Sequence, residues 1–256
     1  WWPMQADKVN HIFKKGSQFD DLIKLYNFDR ELRLLVFNAI ERIEIGLRTR
    51  LIYYLSHEFD PWWFQKSEIF INTMALTRTL YNLDEEILRS KEVFIKQHRR
   101  NYPNDKRFPP AWKTLELTSF GNLSKLYGNL KNTVRSKDEI AKSLGAVNHT
   151  YLPSWLQSIA QIRNICAHHG RLWNKNLPGT VKLLKAPPHD WINNVPSPGE
   201  FQYLYIHLCI IVYLMDRVSP GHHFKSRFNY LIKRYPSVDE KALGLKDNWR
   251  NEPLWL

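Results

Sequence analysis

The chain of 256 residues is poor in cysteine. It has two, Cys166 and Cys209, each inside an apolar helical pattern. Two such residues do not make the framework of a small secreted fold, and they read as reduced, buried thiols of a cytoplasmic protein. Long apolar runs are missing too. The longest, residues 204–215 (LYIHLCIIVYLM), is too short to span a bilayer and contains His207. No secretory leader is visible. Gly-rich phosphate loops, paired-carboxylate signatures and the Gly-x-Ser-x-Gly elbow are all absent, which removes common sequence marks of nucleotide-binding and hydrolase folds. There is no internal repeat, no low-complexity tract and no convincing strand ladder. Acidic residues are in short supply, 25 against 37 Lys and Arg, leaving a formal charge of +12. That excess points to a polyanionic partner, and without a membrane segment it favours nucleic acid over a membrane.

What is present is helical periodicity. In residues 27–57, Phe28, Leu32, Leu35, Val36, Ile40, Ile43, Leu47, Leu51 and Tyr54 recur at spacings of three and four. Asn27 or Asp29 can cap that helix, and Glu44 with Arg48 forms a favourable pair four residues apart. A second helix is predicted over 73–100, ending in Lys96, His98, Arg99 and Arg100, cations that suit a helix C-terminus. Shorter helices are predicted over 111–118, 122–130 and 137–144, the last with a Ser136/Glu139 capping box. Pro153 suits the first turn of a helix over 153–169, and Gly170 suits a left-handed stop. After an irregular segment, 178–199, with five prolines, helices are predicted over 200–218 and 222–235. The tail carries three large anchors, Trp249, Leu254 and Trp255. The fold class read from this pattern is all-α, a single helical domain over 1–256 with additional helices and long loops.

Chemistry concentrates in residues 161–174, QIRNICAHHGRLWN. Arg163 and Asn164 precede His168 by five and four residues, and Arg171 follows. Arg can hold phosphate oxygens, His can act as acid or base near neutral pH, and Asn can orient either. His168 sits at the negative end of the helix, which suits a cation and makes a general-acid role the easier one. Structural roles compete: Arg163 pairing with Glu41 or Glu44, His168 as a core histidine or helix-end cation, His169 as a surface neighbour, Arg171 as a helix-end or phosphate contact, Trp173 as a packing anchor and Asn174 as a turn residue. Cys166, His168 and His169 lack a second ligand pair, so zinc is set aside and no cofactor is expected.

The Arg-Asn-x-x-x-His spacing resembles the signature of the HEPN superfamily. The fuller stretch WLQSIAQIRNICAHHGRLWN resembles the hallmark segment of the Abi-type abortive infection proteins of bacteria. YNFDRELRLLVFNAIERIEIGLRTRLIYYLS, FPPAWKTLELTSFGNLSKLYGNL and LGLKDNWRNEPLW are similar to other parts of that family, so the likeness covers most of the chain. The resemblance implies a HEPN-like helical bundle and metal-independent cleavage of RNA, with Arg163, Asn164 and His168 as the catalytic set. It implies 2′,3′-cyclic phosphate ends and a homodimer joined through the motif helix. It also allows a non-cleaving ribonucleoprotein with a structured small noncoding RNA, or a toxin silenced by a partner. Family members usually carry a further N-terminal helical segment, of which residues 1–3 would be the remnant. Beside Arg171, the RNA contacts expected are Lys96, Arg99, Arg100, Lys106 and Arg107, with Tyr102 and Phe108 interleaved for base stacking.

Overall fold

The computed structural model describes residues 5–177 and 181–256; the reading of residues 1–3 lies outside them. A helix of 40 residues, α1 (Phe19–Glu58), forms the axis. At 1.5 Å per residue it is about 60 Å long. It begins eight residues before the predicted start: the Gln18 amide donates to the Asp21 carboxylate there, and Asp29 is a buried mid-helix residue, not a cap. Phe28, Leu32, Val36, Ala39, Ile40, Ile43, Leu47, Leu51 and Leu55 make its buried stripe.

The predicted helix over 73–100 is two helices, α2 (Thr73–Arg89) and α3 (Val93–Asn101). Ser90 and Glu92 adopt extended backbone between them, and the Ser90 hydroxyl accepts from the Glu92 amide. A serine that bonds its own backbone competes with helix continuation, a local effect that apolar periodicity does not register. Next come α4 (Ala111–Thr114) with a following 3₁₀ turn, α5 (Phe120–Asn129) and α6 (Arg135–Ser143). The expected Ser136/Glu139 capping box is not formed. The Glu58 carboxylate, from the end of α1, accepts from the Arg135 and Ser136 amides at 3.1 and 2.7 Å, while the Ser136 hydroxyl donates to the Tyr54 carbonyl. Glu139 pairs with Arg135. The cap is tertiary, so no local pattern encodes it.

The motif helix is α7 (Leu152–Ala167), and α8 (Leu204–Val218) and α9 (Phe224–Arg234) follow the proline-rich segment. α1 packs against α4 through α9. Every residue from Leu204 to Met215 is buried, so the longest apolar run is a core helix, and among the described residues no helix is long and apolar enough to cross a membrane. α1 and α8 meet closely at Gly46, where an added Cβ would lie 2.6 Å from Val218 Cγ1. Trp249, Leu254 and Trp255 are buried, as the tail pattern predicted. One small departure from the all-α expectation is an antiparallel pair, β1 (Gln5–Asp7) with β2 (Ile12–Phe13), ahead of α1. Buried apolar side chains from Phe28 to Trp255 form one continuous cluster.

Inside α8, His207 is fully buried. Its Nε2 donates to the Phe201 carbonyl at 2.8 Å, and its Nδ1 accepts from the Ser158 hydroxyl of α7 at 2.5 Å. Both ring nitrogens are satisfied by a neutral imidazole, and burial pushes its pKa down to about 4. A depressed folded-state value means the unfolded chain binds the extra proton between about pH 6.5 and 4. Stability from this group is therefore full above 6.5 and lost as pH falls through 4, a change of about 3 kcal/mol. Urea denaturation between pH 7.5 and 4 is expected to show that loss, and the Ser158→Ala/His207→Phe variant is expected to have a flatter profile over the same window.

Candidate functional site

The apolar face of α7, Trp155, Leu156, Ile159, Ile162 and Cys166, is buried against the bundle. At 100° per residue this leaves Asn164 and His168 pointing away from the core on one face, with Arg163 turned about 140° from His168. The structure agrees. Asn164 and His168 are exposed, and neither side chain has a hydrogen-bond partner among the described residues. Arg163 is half-buried on the α1 flank, its guanidinium 5.9 Å from the centre of the Phe37 ring. It also acts on Glu44, whose pKa is raised by burial and lowered in part by Arg48 and then Arg163. Glu44's direct partner is Arg48, at 2.9 Å, the pair read from their four-residue spacing.

The helix stops in a tight turn. The Gly170 amide donates to the Ile165 carbonyl at 2.8 Å and the His169 amide to the Cys166 carbonyl at 3.2 Å, the paired bonds of a Schellman ending. The left-handed residue is His169, at φ 55°, and not Gly170 as predicted. Gly170 fits for a different reason: an added Cβ would lie a tight 3.3 Å from both the Ile165 carbonyl oxygen and its Cγ2. A histidine in the left-handed region is strained, so the surroundings must hold it there.

They do so through Asp29. One oxygen of this buried carboxylate accepts from the Leu172 and Trp173 amides at 2.9 and 2.6 Å; the other is held by Arg33. Arg33 also reaches the Gly170 carbonyl, at 3.5 Å. Trp173 is buried, as expected of an anchor, and its indole N–H donates to the Asp239 carbonyl. Asn174 is a turn residue with φ 49°. Between the left-handed His169 and the buried Leu172, Arg171 is held exposed. Sequence reasoning missed Asp29 and Arg33. The available signal was two oppositely charged residues, four apart, beside Phe28 and Leu32 in the apolar stripe.

Along this flank a groove of about 1150 Å³ opens between α1 and the end of α7. Its walls include Leu22, Ile23, Tyr26, Leu34, Phe37 and Ala167. Buried Asp29 and Arg33 lie at its floor, and exposed Arg30, His169 and Arg171 at its edge. Cys166 also lines it, with burial pushing the thiol up to about 12, so it is unreactive; both cysteines are free and buried. Among the described residues, no group of three or more His, Cys, Asp or Glu could hold a metal ion.

The second set of expected RNA contacts is elsewhere. The loop after α3 hangs on the far end of α1: the Ala111 amide donates to the Pro61 carbonyl, and the Trp62 indole to the Phe108 carbonyl. From Arg33 to Glu58 is roughly 40 Å of helix, so the motif and this loop are not one patch. Within it, Arg107 is bound to Asp105 and stacked 4.0 Å over Trp62, and Arg99 donates to the Ile87 carbonyl. Lys96, Arg100 and Lys106 are exposed and have no ion pair among the described residues. Phe108 packs against Phe64 and the core, which removes it as a stacking platform; Tyr102 stays exposed.

A family model for Abi-like proteins matches residues 1–174, through the whole of the motif stretch. No curated protein and no solved structure matches the chain.

Two substitutions test this construction. Asp29→Ala leaves Arg33 buried without its partner and two amides unsatisfied, and is expected to cost about 3–5 kcal/mol in urea unfolding, with faster hydrogen exchange at Leu172 and Trp173. His169→Gly removes the left-handed strain and is expected to raise stability by about 0.5–1 kcal/mol, read from the shift in thermal midpoint.

Proposed function

Since this chain belongs to the Abi-like protein family, we propose that it serves abortive infection against phage by acting on RNA, as a metal-independent endoribonuclease of the HEPN type. The observation that carries this reading is the contrast between two histidines. His207 is buried with both nitrogens engaged, whereas His168 stands exposed on the Asn164 face with neither side chain used by the fold. The fold spends backbone strain at His169 and a buried ion pair at Asp29 to present this helix end.

The chemistry is internal transesterification. The RNA 2′-oxygen attacks the adjacent phosphorus, the P–O5′ bond breaks, a base takes the 2′-OH proton and an acid delivers a proton to the leaving 5′-oxygen. The products are a 2′,3′-cyclic phosphate and a 5′-hydroxyl, and DNA is spared because it lacks the nucleophile. His168 is assigned the acid, Asn164 the orientation of the phosphate or of His168, and Arg163 the phosphorane charge, with Arg171 an RNA phosphate contact beside them. Within one chain Arg163 and His168 diverge. Two chains paired about a two-fold axis beside α7 would set two outward Asn164–His168 faces together, with the Arg163 residues flanking one cleft. A second reading is favoured by the position of Lys96, Arg100 and Lys106, roughly 40 Å along α1 from the motif. Cations so placed suit a structured small noncoding RNA held stably as a ribonucleoprotein.

The test uses the protein stripped of RNA, in chelator, with labelled structured and single-stranded RNAs. Chelator-resistant cleavage giving cyclic phosphate ends is expected, with a loss of at least about 100-fold in Arg163→Ala/His168→Ala, and His168→Ala alone is expected to abolish cleavage with little change in RNA affinity. Absence of cleavage by both proteins, with tight binding by both, selects the ribonucleoprotein.

A further inference from the structure

Apart from Arg171 at its edge, the groove beside the motif has no part in the chemistry above. On α1, Phe19, Ile23, Tyr26, Arg30, Leu34 and Phe37 follow one another at three- and four-residue spacing and so share a face. Phe19, Ile23, Tyr26 and Leu34 are 42–73% exposed, which is a large apolar strip to leave in water. The groove runs along α1 from Leu22 to Phe37, about 22 Å or four helical turns. Its 1150 Å³ exceeds the range of about 300–1,000 Å³ typical of small-molecule pockets. These dimensions suit the apolar face of one docked helix.

Charge selects which helix. Arg30 and Arg171 stand at the edge without a carboxylate partner among the described residues, beside exposed His169. The one acid lining the groove, Asp29, is buried with both oxygens occupied. A second copy docked symmetrically on this face would bring four unpaired arginines into one interface, with no free carboxylate from either groove lining to meet them. RNA would find mostly aliphatic walls, with Tyr26 as the exposed aromatic of the lining and Phe19 at the start of the strip. We propose that the groove is the docking site for an amphipathic α-helix of an acidic protein partner. Its apolar side packs on Ile23, Tyr26 and Leu34, and its Asp or Glu side chains pair with Arg30 and Arg171. Binding does not depend on the ribonuclease reading; if that reading holds, the docked helix also withdraws Arg171 from RNA and so silences the site.

The experiment uses the whole chain and a fluorescein-labelled peptide of about 18 residues, with Leu at three- and four-residue spacing and Glu elsewhere. A twin with Lys for Glu and a shuffled acidic peptide serve as controls, all read by anisotropy without RNA. The acidic amphipathic peptide is expected to bind at least about ten-fold tighter than either control. Leu34→Glu is expected to weaken it about ten-fold or more, and Arg30→Glu to shift preference toward the Lys twin. Circular dichroism checks that these exposed-site variants fold. Equal binding of the twin, or binding untouched by Leu34→Glu, overturns the proposal. So does a dimer that Leu34→Glu splits in light scattering, which assigns the groove to a second copy. An RNA probe weakened by Leu34→Glu while the peptide is not would overturn it in favour of RNA.

Discussion

The candidate site depends on one buried carboxylate. Asp29 sits about a quarter of the way along α1 and binds the Leu172 and Trp173 amides, with Arg33 on its other oxygen. A lone buried charge would be costly, so the three partners form a set in which none is dispensable. Through that set the most extensive helix of the bundle fixes the loop after α7, which in turn holds His169 in the left-handed region and leaves Arg171 exposed. The loop that follows the exposed motif is thus anchored by a residue more than 130 positions away in sequence.

The same axis helix explains why the abundant cations do not act alike. Arg48 donates to the Leu115 and Thr118 carbonyls, and Arg50 to Ser143 and the Gly46 carbonyl. Arg107 and Arg99 are likewise spent on the fold. These arginines tie loops to α1 or close helix ends, work for which a planar, multidentate donor is suited. Arg30 and Arg171 beside the motif, and Lys96, Arg100 and Lys106 around the distal loop, are among the exposed cations without an ion pair in the described residues. Net charge therefore argued correctly for a surplus of cations and said nothing about their grouping.

Much of the fold was legible because helices are written in local periodicity. The buried stripe of α1, the extent of α7, the apolar α8 and the anchoring tryptophans were read from spacing and side-chain size alone. The errors share a cause. The start of α1, the break at Ser90–Glu92, the left-handed His169 and the Glu58 cap of α6 each turn on a backbone group finding one partner in preference to another. Such choices differ by about 1 kcal/mol, below what pattern alone resolves.

For the site, the sequence by itself determined the family, the outward Asn164–His168 face and its separation from Arg163, since all three follow from motif identity and a helix turn of 100° per residue. It did not determine that Asp29 and Arg33 would lie under the loop, that Phe108 would be packed away, or that an apolar groove edged by unpaired arginines would open beside the motif. The first and last were decided by the antiparallel packing of α7 on α1, and the second by the contact of Phe108 with Phe64 beyond the far end of α1. Burial and ion pairing between residues far apart in the chain are properties of the assembled bundle, and no window of sequence contains both partners.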